Sequence, residues 1–256
     1  MAGCLFSKGG VRRLRPIGGA FVLLAGVCSA LWGPQASASP TPNAGARYGA
    51  AASQEAATDS HSDLERAKAA LTRYATTADR SDLREARTLM TGVDAQFSPH
   101  SIEERCLQGD SSVVEDVIAF IRLSNMLFRY TGQESLLRRA QESVSSLRTQ
   151  QSHLSLGEKK LLHQAEEELR TSPLHITVVG AKTEPRARRL WQEAVATQEE
   201  YIRREWWDRS EGPLPNPDVR YPQLAVPAAF VCVDKRCSVP LYTDEELRER
   251  LAQHVE

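Results

Sequence analysis

The chain has 256 residues, 41% hydrophobic and 25% charged, with a net charge of −1. That balance is usual for a folded globular chain. It argues against a general nucleic-acid or anionic-membrane binder, which needs a basic face.

The N-terminus has the three parts of an export signal. Lys8, Arg12, Arg13 and Arg15 form a positive region without an acidic residue. Residues 17–32 are an apolar, small-residue stretch, short of the roughly 20 apolar residues of a membrane span. Gly33-Pro34 breaks it, and Ala36-Ser37-Ala38 offers the small-x-small pattern of a signal peptidase site. Cleavage is therefore expected after Ala38. Retention as an anchor is one alternative; a lipoprotein built on Cys28 is another, although bulky Val27 precedes that cysteine. Removal of residues 1–38 leaves 28 basic against 33 acidic side chains, a net −5, with Cys106, Cys232 and Cys237 as the remaining cysteines. After cleavage no stable membrane insertion is expected, and an oxidising compartment would favour cysteine pairing.

Residues 39–60 are rich in Ala, Ser, Pro, Thr and Gly, which predicts a disordered linker. Residues 61–172 read as a helical-hairpin domain. Ser62-Asp63-Leu64-Glu65 has the pattern of a capping box, and Leu64, Ala67, Leu71 and Tyr74 follow at helical spacing. A second amphipathic helix carries Leu83, Ala86, Leu89, Met90, Val93 and Phe97 and stops before Pro99. Ser112-Val113-Val114-Glu115 opens the most apolar helix, which Thr131-Gly132 ends. Another helix carries Leu136, Leu137, Ala140, Val144 and Leu147, and Ser155-Leu156-Gly157-Glu158 caps the next. A weak repeat links Arg73-Tyr74, Thr76, Asp79, Leu83 and Ala86 with Arg129-Tyr130, Thr131, Glu134, Leu137 and Ala140, about 56 residues apart.

Residues 173–256 change character and read as a small α/β domain. Leu174-His175-Ile176-Thr177-Val178-Val179-Gly180 is a buried-strand pattern. Pro185 starts a helix whose apolar face is expected to run through Leu190, Trp191, Ala194, Val195 and on to Ile202. A proline-rich loop spans residues 208–223, a second strand residues 228–233, and Thr243-Asp244-Glu245-Glu246 caps a final helix.

The segments Ile176-Thr177-Val178-Val179-Gly180 and Ala228-Ala229-Phe230-Val231-Cys232, with Cys237, Pro240 and Asp244-Glu245-Glu246-Leu247, carry a resemblance. Together they resemble the C-terminal end of the large thioredoxin-domain-containing proteins of unknown function that include the spermatogenesis-associated relatives. The helical hairpin over residues 109–147, with its Tyr130-Thr131-Gly132 turn, is similar to the last hairpin of that family's α/α toroid. The resemblance implies a mostly α fold: an α/α hairpin array, partly toroid-like, followed by a small α/β C-terminal unit. The thioredoxin domain and its Cys-x-x-Cys site have no counterpart here, so no activity comes with the resemblance.

Cys232 and Cys237 bracket a polar turn that brings a strand back on itself, which suits a disulfide staple. A redox-active pair is the alternative, since Lys235 and Arg236 would favour a thiolate. Zinc would need two more ligands, and His175 and His254 lack ligand spacing; no metal and no cofactor is expected. Glu103, Glu104, Asp110, Glu115 and Asp116 gather near one inter-helix loop. Glu103 and Asp110 are the candidate acid and base of a sugar-active remnant of an α/α toroid. Adjacent Trp206 and Trp207 cannot both face one core side of a helix, which makes them candidate partner-binding residues. The expectation from these readings is an exported, non-enzymatic interaction or scaffold protein with a protein partner or a second copy. A periplasmic thiol–disulfide protein and the sugar-active remnant are its alternatives.

Overall fold

The computed structural model describes residues 45–107, 112–234 and 236–255. The export segment, the alternative lipoprotein Cys28, Asp110 and Lys235 lie outside the described residues. The first helix, α1, spans Gly45–Thr77. Two expectations change with it. Residues 45–60 are helical rather than a disordered linker, consistent with their many alanines, which lose no side-chain entropy in a helix. Ser62-Asp63-Leu64-Glu65 lies inside α1, where backbone amides already bond to the preceding turn, so it caps nothing.

Helix α2 (Arg80–Val93) folds back on α1, and a 3₁₀ turn at Asp94–Phe97 leads to α3 (Pro99–Leu107). Helices α4 (Val113–Thr131) and α5 (Glu134–Thr149) form a second hairpin, and α6 (Leu156–Arg170) lies against α4. Ser155 and Glu158 form the expected reciprocal cap of α6. Ser112 precedes α4 as expected but takes helical dihedrals (φ −77°, ψ −21°) instead of the extended ones of a capping residue. Apolar residues on most sides of α4 follow from its place between α1, α3, α5 and α6. Phe97 and Phe120 stack at 4.5 Å in this core.

The internal repeat is visible in the two hairpin turns. Thr77-Ala78-Asp79 and Thr131-Gly132-Gln133 each place a left-handed residue, φ 55° and 68°, between the two helices. Each threonine hydroxyl donates back into its helix, to Arg73 O and Leu127 O, and accepts from the amide two residues on. Ala78 N bonds Tyr74 O as Gly132 N bonds Phe128 O. The structural register is therefore 54 residues, and Phe128, not Tyr130, is equivalent to Tyr74. Tyr74 and Tyr130 instead meet each other edge-on, with centroids 5.0 Å apart.

Strand β1 (Leu174–Val179) begins the C-terminal half, followed by α7 (Pro185–Ala196), β2 (Ile202–Trp207), β3 (Ala228–Val233), β4 (Arg236–Cys237) and α8 (Asp244–Val255). The sheet order is β2-β1-β3-β4, with β1 and β2 parallel and the other neighbours antiparallel. The predicted continuation of α7 to Ile202 is corrected: the helix stops at Ala196, and Ile202, Trp206 and Trp207 are on a strand. After Val195 the next helical face positions are Gln198 and Glu199, so the apolar stripe fails. From Ile202 the side chains instead alternate between two faces, as a strand requires.

One sheet face packs on α7 and α8 through Ile176, Val178, Leu190, Trp191, Trp206 and Leu247. The opposite face lies under the loop of residues 208–227, where Tyr221 and Leu224 meet Phe230 and Cys232. Both halves belong to one compact unit. Among the described residues, the exposed large apolar side chains are Leu107, Leu156, Leu161, Val226, Val239 and Tyr242. They are spread over α3, α6 and loops, and the buried apolar faces of the described helices pack on neighbouring helices and the sheet.

Gly180 closes β1 at φ 153°, where a Cβ would lie 2.7 Å from Pro227 Cβ and 3.2 Å from Pro227 Cα. Gly180→Ala is expected to destabilise by about 1–3 kcal/mol through this overpacking. Thermal denaturation should show a loss of roughly 2–4 °C for each kcal/mol; an unchanged midpoint would rule out the close approach.

Candidate functional site

Alternation along two parallel strands builds a polar cluster on the loop-covered face of the sheet. In β1, His175 and Thr177 point to this face between Leu174, Ile176 and Val178; in β2, Arg203 and Glu205 do so between Ile202, Arg204 and Trp206. The parallel register sets His175 beside Arg203 and Thr177 beside Glu205. The surrounding loop contributes Asp218 and Tyr221.

His175 Nε2 lies 2.9 Å from Glu205 Oε2 and 2.9 Å from Thr177 Oγ1. A carboxylate only accepts, so the ring donates from Nε2 to Glu205, and Thr177 directs its hydroxyl hydrogen to Tyr221 Oη at 2.7 Å. Arg203 pairs with Glu205 at 2.7 Å and with Asp218 at 2.8 Å, and donates to Asn216 O. Burial works against the Arg203 charge, but Glu205 and Asp218 outweigh it and hold its pKa above the ordinary value. Tyr130 of α4 lies under this guanidinium, and its hydroxyl accepts from Arg204 N on the outer edge of β2. Burial pushes the Tyr130 phenol up to about 12 and raises Tyr74 and Tyr221 as well. Glu205 is 0% exposed and His175 6%. His, Glu, Thr and Tyr in contact are a set that enzymes use for proton transfer. Here the set is enclosed, and its members bond mainly to one another.

A crevice of about 230 Å³ opens at the carboxyl end of β1, between Gly180, Glu184, Asp208, Arg209 and Pro227. Open α/β sheets receive ligands at this end of their strands. Asp208 is committed to structure there: it accepts from Lys182 N, Ser210 N and Ser210 Oγ, and these bonds hold its carboxyl below the usual range.

The sequence-predicted residues fall elsewhere. Cys232 and Cys237 face each other across β3 and β4 and form a disulfide, with Cys232 buried and Cys237 exposed. Asp234, at φ 48°, starts the intervening turn. Trp206 is 7% exposed, packs on Trp191 at 5.3 Å and donates to Gly180 O. Trp207, on the opposite sheet face, is half-buried, donates to Gly212 O and lies under Arg209. The strand thus gives each indole its own packed face, and neither stands free as an anchor. Glu103 and Glu104 are exposed on α3, and Glu115 is exposed on α4. Asp116 is buried and accepts from His61 Nδ1 at 2.8 Å, raising the histidine's pKa. Among the described residues no group of three His, Cys, Asp or Glu side chains could hold a metal ion. The Arg203–Glu205–His175 cluster escapes a reading that carries α7 through to Ile202; in Ile202-Arg203-Arg204-Glu205-Trp206 the apolar residues stand four apart, a spacing that suits a helix as well, so no alternation in the sequence marks the strand.

The lowered Asp208 pKa has a stability consequence. Its contribution is present above the ordinary carboxylate pKa and is lost as pH falls through the lower folded-state value. Asp208→Ala should therefore cost about 1 kcal/mol at pH 7, as loss of a capping residue does. In urea denaturation the gap between variant and wild type should close below the carboxylate range; a gap unchanged in acid would exclude this role.

Comparison with known proteins finds no family model, no curated protein and no solved structure that matches this chain.

Proposed function

We propose that this chain is an exported, non-enzymatic interaction module that binds a protein partner or a second copy of itself. The observation that supports its non-enzymatic part is the enclosure of His175 and Glu205, the side chains best suited to acid–base work, beneath the loop of residues 208–227. A rigid cluster of that kind serves to fix the fold. Export is supported by the basic, apolar and small-x-small parts of residues 1–38 and by the Cys232–Cys237 disulfide, a bond favoured outside reducing compartments. No helix among the described residues is long and apolar enough to cross a membrane. The two helical hairpins are compatible with derivation from an α/α toroid of the thioredoxin-domain family, and that ancestry is part of the proposal. The sugar-active alternative rests on Glu103, exposed on α3, and on Asp110, which lies outside the described residues.

Photocrosslinking in the export compartment tests the interaction reading. Photoreactive residues at Leu107, Leu156 and Val239, each largely exposed, are expected to give one adduct of discrete mass, a homodimer or a single partner. Monomer alone from all three positions would defeat the proposal.

One observation favours a thiol–disulfide reading as the second choice: exposed Cys237 gives an attacking thiolate access to a bond whose other half is buried. Thiol labelling across a redox buffer series separates the two. A reduction potential below about −300 mV is expected for a structural staple, and one near −120 to −200 mV would transfer the function to the cysteine pair.

A further inference from the structure

The acidic and basic side chains of α2 are sorted onto different sides. Asp82 and Glu85 turn toward α1, where Arg73 pairs with them at 2.8 and 2.6 Å. Arg80, Arg84 and Arg87 follow the i, i+4, i+7 spacing of a single helical face. They line an open groove of about 370 Å³, closed on its other sides by Thr131 and Gln133 of the α4–α5 turn and by Pro215 of the long loop.

The groove has fixed walls and free charges. Arg80 is tied to the loop through Glu211 O at 2.7 Å and Gly212 O at 3.3 Å, with the Glu211 carboxylate 3.6 Å away. Asn216, next to Pro215, donates to Arg129 O at 2.8 Å and so holds the loop wall against α4. Arg84 and Arg87 are exposed, and among the described residues neither has an ion pair or a side-chain hydrogen bond. Asp79 lies within reach of the Arg84 charge, but its Oδ1 accepts from the Ser81 amide and hydroxyl. Most other arginines of the helical half are paired, as Arg122 is with Glu168, Arg139 with Asp94 and Arg148 with Glu166. Two free guanidinium groups about one helical turn apart present forked donors matched to carboxylate or phosphate oxygens.

We propose that this groove is a binding site for a small polyanion bearing two or more carboxylate or phosphate groups, held by Arg84 and Arg87. The site is separate from the enclosed His175 cluster, and the proposal stands whether or not the chain also binds a protein partner.

Calorimetric titration of the mature protein at low ionic strength tests it, with pyrophosphate in one arm and citrate in another. Saturable binding with a Kd of about 1 mM or tighter is expected in at least one arm. The arm that binds identifies phosphate or carboxylate as the preferred chemistry. The Arg84→Gln/Arg87→Gln double variant, altered only at exposed positions, is expected to keep its melting temperature and lose affinity by about tenfold or more. Arg138→Gln, an exposed arginine of α5 outside the groove, should bind as wild type does. Absence of saturable binding in both arms, or undiminished affinity in the double variant, would overturn the proposal.

Discussion

Three helices of the N-terminal half turn their carbonyl ends toward the α/β half, and side chains from that half satisfy them. Trp191 donates to Thr76 O and Lys182 to Ala78 O at the end of α1; Asn216 donates to Arg129 O near the end of α4; Tyr201 donates to Glu168 O near the end of α6. The last four carbonyls of a helix have no partner within it, and burying one unsatisfied costs about 1–3 kcal/mol. The two halves therefore meet where each supplies what the other lacks. This constraint joins them into one compact unit despite the change in sequence character near Pro173.

The same seam explains the buried charges. Tyr130 leaves the end of α4, covers Arg203 and accepts from the outer edge of β2, so that a helix protects a sheet edge that would otherwise be open to pairing. Arg203, Glu205, His175 and Asp218 then form a chain of charge-assisted bonds from β1 through β2 to the covering loop. A buried ion pair adds little net stability over a packed apolar substitute, but one broken partner leaves the other unpaired. The cluster consequently favours one arrangement of β1, β2 and the covering loop over others. Chemical capacity and structural use diverge here: the side chains suit catalysis, and the enclosure suits rigidity.

The duplicated hairpins show how local chemistry and tertiary context share the work. Both turns use a threonine hydroxyl to bridge the helix end and the next amide. At the left-handed position one copy has Gly132, which needs no compensation, and the other has Ala78. Ala78 is buried, and its carbonyl accepts from Lys182, so contacts with the α/β half hold a conformation that alanine alone disfavours.

Signals carried by consecutive residues are legible in the amino-acid sequence by itself. The helix periodicity of α2, α4, α5 and α6, the Ser155–Glu158 cap, the Gly132 stop, the Pro185 start, the strand before Gly180 and the strand that holds Cys232 all act within a turn or a hairpin, whereas α3, between Pro99 and Leu107, carries no such signal. The Cys232–Cys237 pair is legible for the same reason. The sequence misleads where local propensity is ambiguous: alanines before Ser62 suit a helix as well as a linker, and the segment from Ile202 to Trp207 follows a helix closely enough to pass for its continuation. Only the tertiary structure decides which polar residues meet. His175 and Glu205 are 30 residues apart in the chain, and Pro215 reaches the arginines of α2 across more than a hundred residues. Such encounters depend on sheet register and on the packing of one half against the other, and neither is encoded in the spacing of neighbouring residues.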